Sequence, residues 1–62
     1  MKYIAIKVKG LNHFIWFEKS KVIETSTLFI GSEGWGENGV RTDIQCKLSL
    51  IESRIESDAL QY

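Results

Sequence analysis

Lys2-Tyr3-Ile4-Ala5-Ile6-Lys7-Val8-Lys9 is the stretch on which the fold turns. Ile4, Ile6 and Val8 point one way, while Tyr3, Ala5, Lys7 and Lys9 point the other. A period of two built on β-branched residues specifies a strand with one buried face. Gly10-Leu11-Asn12 follows as a turn. The first element is therefore an amphipathic strand that needs antiparallel partners from the rest of the chain.

Those partners are read from the segments that follow. Residues 13–18 contain Phe14-Ile15-Trp16-Phe17, an apolar run too short for a stable helix and rich in strand formers. A run without alternation implies that both faces of that strand are covered. Lys19-Ser20-Lys21 makes a polar turn. Residues 22–30 are again β-branched and aromatic, and end on Leu28-Phe29-Ile30; Thr25, Ser26 and Thr27 compete with or crowd a helical backbone. Residues 31–39, Gly-Ser-Glu-Gly-Trp-Gly-Glu-Asn-Gly, read as a loop closing on Asn38-Gly39, the preferred pair of a type I′ hairpin turn. Residues 40–50 resume alternation. Val40, Thr42, Ile44, Cys46, Leu48 and Leu50 share one face, and Arg41, Asp43, Gln45, Lys47 and Ser49 the other.

The period then changes. Ile51, Ile55, Ala59 and Tyr62 fall on one helical stripe, and Ser49-Leu50-Ile51-Glu52 has the form of a capping box. Arg54 and Asp58 are spaced for a weak helical pair. The expectation is a mainly β (α+β) domain over residues 1–62, a four-stranded antiparallel meander with a short C-terminal helix. A small SH3-like barrel is the alternative. The connections are short enough for hairpins and too short for helical crossovers. One helix covers one sheet face only, so the two-faced runs at 14–17 and 28–30 require the sheet to curl, or a second subunit to cover it; self-association is the expected answer.

A chain of 62 residues has no room for a two-domain enzyme, and buries only about 60% of its unfolded surface. With 44% hydrophobic residues it has neither a disordered nor a membrane-spanning composition. The single cysteine forbids an internal disulfide, and no signal-peptide pattern opens the sequence, so a cytoplasmic protein is expected. Net charge is zero but divided: residues 1–21 carry five lysines and one acid, and residues 22–62 three bases and seven acids. Either the halves complement each other across the fold or between subunits, or the basic half meets an anionic partner.

The motifs carry little chemistry. Gly34, Gly36 and Gly39 spell G-x-G-x-x-G, but a strand follows, too few residues remain for a dinucleotide-binding unit, and Glu33 and Glu37 repel phosphate. His13 is the only histidine and has no catalytic or metal-binding partner of its kind. Cys46 sits among apolar residues as a core thiol. No metal site, cofactor or catalytic residue is expected, and so no enzyme. Trp35, framed by glycines, either folds back on the sheet or projects as an anchor. With Trp16, Phe14 and Arg41 it forms the candidate partner-binding set. The competing set is Tyr3, Lys7, Lys9, His13 and Trp16, which would stack bases and track a backbone as single-stranded nucleic-acid-binding β-domains do. The expected function is a non-enzymatic protein-interaction module, a homodimer that binds a further protein, with no membrane association. By analogy of size alone, such chains are common among accessory proteins, including those encoded by phages and mobile elements.

Overall fold

The expected strand over residues 2–9 is present as β1 (Tyr3–Val8), and it lies inside the sheet rather than at its edge. A computed structural model describes residues 1–60 of the chain. It contains five further strands: β2 (Ile15–Glu18), β3 (Val22–Glu24), β4 (Leu28–Trp35), β5 (Arg41–Lys47) and β6 (Ile51–Ser57). All pairings are antiparallel. β4 carries β5 along one edge; its other edge is shared by β3 and, at Trp16↔Trp35, by β2. β1 lies between β2 and β6. The sheet curls into a half-barrel around Ile4, Ile6, Val8, Ile15, Phe17 and Phe29.

Two expectations fail. The strands are not four, because residues 22–30 are two strands turned at residues 25–27, where the Thr25 Oγ1 accepts from the Leu28 amide at 3.0 Å. β4 then continues through Gly31 to Trp35, half of the stretch read as loop. Glycine is permitted there because Phe17 occupies the space a side chain would need. A Cβ on Gly31 would meet the Phe17 ring at 2.6 Å, and one on Gly34 would come closer still. The turn itself shrinks to residues 36–39, with Asn38 and Gly39 at φ 58° and 74°, the two positive values a type I′ turn requires.

The C-terminal helix is also absent among the described residues. Residues 51–57 form β6, paired with β1 from Tyr3↔Ser57 to Val8↔Ile51. Without it β1 would be left with an open edge of unpaired backbone groups, a tertiary demand that outweighs a weak helical period. The four-residue spacing of Ile51 and Ile55 has another origin. A register shift between Lys7 and Val8 turns Ile51 into the core while Ile55 faces outward opposite Ala5. Ser49 sits in a 3₁₀ turn (Leu48–Leu50) with no side-chain cap. Arg54 pairs with Glu24, not Asp58. Tyr62, the last member of the supposed stripe, lies outside the described residues. β5 keeps its predicted alternation, although Val40 and Leu50, placed on the inner face, are both exposed.

Charge complementation between the halves is visible in the ion pairs. Lys7 meets Glu52 at 3.8 Å, Lys19 meets Glu56 at 2.7 Å and Lys21 meets Glu33 at 2.8 Å. Each joins a lysine of the basic half to an acid of the acidic half. Arg54 adds a forked contact to Glu24, with Nη1 donating to Oε2 at 2.8 Å and Nη2 to Oε1. Since Arg54 stands opposite Ile6 and Glu56 opposite Ile4, both pairs lie on the inner side of the curl, and the Arg54–Glu24 contact links β6 to β3, the two ends of the strand order.

Candidate functional site

Residues opposite each other in an antiparallel ladder share a face. Register therefore places Ile55 (β6), Ala5 (β1), Trp16 (β2), Trp35 (β4) and Arg41 (β5) in one row across the outer face, perpendicular to the strands. A parallel row carries Ser57, Tyr3 and Glu18, and Lys7 stands beside Ser53. Ala5, the smallest side chain of the row and fully buried, is flanked by Trp16 and Ile55.

Trp16, although on the outer face, is only 4% exposed. It forms the floor of a cleft of about 350 Å³ whose walls are His13 and Phe14 from the β1–β2 connection, the Gly36–Asn38 part of the hairpin turn, and Ile55. Trp35 does not hang from a glycine loop. It ends β4 half-buried, with the Tyr3 ring edge-on at 6.3 Å between centroids and the Arg41 guanidinium 4.4 Å over its face. A cation over an indole at this distance is attracted by the ring quadrupole.

Arg41 also organises the bulge in β4. Its Nη2 donates to the Glu33 carbonyl at 2.7 Å, and Asp43 Oδ1 accepts from the Glu33 amide at 2.7 Å. Glu33 is held at φ 54°, a left-handed conformation uncommon for a residue with a side chain. Lys21 beside its carboxylate keeps the Glu33 carboxyl below the usual range and the Lys21 ammonium above its own. Glu33, Arg41, Thr42 and Asp43 border a second, polar cleft of about 320 Å³.

The structure thus gathers Trp35, Trp16, Phe14 and Arg41 on one face, with Tyr3 and Lys7 on the same side. Lys9 is exposed in the turn beyond β1, where its amide donates to the Leu50 carbonyl. His13 has a marginal contact with Asn12 Oδ1 at 3.5 Å. Cys46 faces the core, and desolvation pushes its thiol pKa up, away from nucleophilic character. Among the described residues no three His, Cys, Asp or Glu side chains gather as a metal site, and no helix is long and apolar enough to cross a membrane.

Sequence reading missed three members of this surface. Ala5 was placed on the outer face of the first strand, but only the pairing with β2 sets it beside Trp16. Ile55 was assigned to a helix, and Glu33 to a loop. No family model, curated protein or solved structure matches the chain.

Proposed function

We propose that this chain is a non-enzymatic protein-interaction module which associates with itself and presents its outer sheet face to a further protein. The observation that carries the reading is the row Ile55–Ala5–Trp16–Trp35–Arg41 with its flanking cleft. Aromatic and arginine side chains around a desolvated centre are the composition in which binding energy concentrates. In finer terms the fold is read as a small SH3-like barrel: all strands are antiparallel in one curled sheet, β2 joins β1 to β4, and a 3₁₀ turn precedes the last strand.

Single-stranded nucleic acid is the competing ligand, since Tyr3 and Lys7 share the face of Trp16. Two features disfavour it. Lys7, Lys19 and Lys21 are paired with carboxylates, and the Trp16 ring plane is covered rather than offered for stacking. The test combines affinity capture at low and high salt with titration of a labelled oligodeoxythymidylate. Retention of a protein partner that persists at high salt and is lost in Trp35→Ala, with an unchanged circular dichroism spectrum, is the expected result. Micromolar oligonucleotide binding that weakens steeply with salt and depends on Lys7 and Lys9 would replace the reading.

A further inference from the structure

The regular part of β6 reads Ser53-Arg54-Ile55-Glu56-Ser57, a segment that complements its own reverse about Ile55. Its inner edge pairs with β1 without interruption from Tyr3↔Ser57 to Lys7↔Ser53, the bulge lying at the Ile51 end. Its outer edge has no strand partner among the described residues. An edge of this kind is a template for another strand. We propose that it pairs with the same edge of a second copy of the chain, antiparallel about a two-fold axis, with Ile55 opposite Ile55. This rests on the self-association read above and specifies the surface and register through which it occurs.

The register is chosen by charge. With Ile55 on the axis, each Arg54 stands opposite Glu56 of the other copy, and each Ser53 opposite Ser57. Opposite charges directly across a ladder stabilise it, and like charges destabilise it. Arg54 and Glu56 lie on the inner face, where Arg54 already holds Glu24 and Glu56 already holds Lys19. The new pair joins these two contacts into a four-membered alternation of charge running from one copy into the next. A one-residue slip to an axis at Arg54 sets Arg54 against itself and Glu52 against Glu56. An axis at Glu56 opposes two carboxylates, and an axis at Ser53 runs the ladder through the bulge.

Apolar continuity selects the same edge. Ile55 is 38% exposed at the end of the outer row, and on the axis it meets its own copy, so two five-residue rows become one. Among the described residues two other edges are free: β3 exposes Ile23 but is only three residues long, too short to carry a matching ladder, and β5 directs Arg41, Asp43, Gln45 and Lys47 outward with no exposed apolar residue between them. Such charges are what keep an edge unpaired. The interface is isologous, as closed dimers require.

The test uses disulfide trapping in a Cys46→Ala background together with light scattering of the unaltered chain. Ile55→Cys should give a disulfide-linked dimer under mild oxidation. Ser53→Cys and Ser57→Cys should each fail to link alone yet link to one another when mixed, and each variant's β-type circular dichroism spectrum checks folding. The unaltered chain should approach twice its 7.1 kDa as concentration rises. A dimer mass with no linkage at 55 and none between 53 and 57 overturns the edge and register while leaving self-association standing. Equal linkage in every variant, the mark of random collision, also overturns it. A monomer at all concentrations overturns both the edge and the self-association.

Discussion

At the scale of single residues, the tightest constraint is the contact of Phe17 with the glycines of β4. The ring lies where Gly31 and Gly34 would carry Cβ atoms, so the strand approaches the core as closely as backbone permits. Gly34→Ala forces the ring or the strand aside. Overpacking of this kind costs about 1–3 kcal/mol, a large share of the stability available to a domain of this size. Phe17→Leu added to Gly34→Ala should cost less than the sum of the two changes, because the shorter side chain vacates the collision; urea denaturation of the four proteins in the cycle reads this out. The Phe17 contribution to the core was legible in the sequence, since it belongs to an unbroken apolar run. Its glycine partners were not. Glycine frequency signals a loop as readily as a close approach, and only the fold tells which one a given glycine serves.

At the scale of elements, β1 and the alternation of β5 were readable because a period of two with β-branched residues has no competing interpretation. β6 was not, because Ile51-Glu52-Ser53-Arg54-Ile55-Glu56-Ser57 repeats its isoleucines at a helical interval. The structure shows those isoleucines on opposite faces, separated by a bulge that a periodicity argument cannot contain. The candidate face was half legible for the same reason: Trp16, Trp35 and Arg41 stood out by chemistry, whereas Ile55 joins them only through strand register. The last strand is further tied to the third by the forked Arg54–Glu24 contact. A double-mutant cycle with Glu24→Gln and Arg54→Met should give a coupling of about 0.5–1 kcal/mol, as expected for a partly exposed pair of good geometry. A coupling indistinguishable from zero would mean that the backbone ladder alone holds β6 in place.

At the scale of the whole molecule, the zero net charge conceals a pH-dependent clasp. Arg54 holds the Glu24 carboxyl below its usual range, and Lys21 and Lys19 do the same for Glu33 and Glu56. A carboxyl with a depressed folded pKa stabilises the fold fully above its unfolded value of about 4.3, and the contribution is lost as pH falls through the lower folded value. Lys21, raised by Glu33, acts with the opposite sign: its contribution is complete below the unfolded value of about 10.4 and disappears as pH rises through the higher folded one. The melting temperature should therefore be flat across neutral pH and fall at both extremes. Added salt should flatten the profile, because these side chains are largely exposed, and Glu24→Gln should reduce the acid slope. A melting temperature that rises steadily toward low pH would contradict this account.

The pairing of β1 with β6 also orders events in time. As the chain emerges during synthesis, β1 comes first, and the strand that covers its second edge comes last among the elements described here. No shorter chain can finish the sheet, and Tyr3–Val8 waits with one side open until Ser57 has been added. Contacts between such distant positions form late and slowly. A nascent chain of this protein must therefore pass through a stage in which a strand with four residues buried in the finished sheet is accessible to other strands, including those of its own neighbours on the same message.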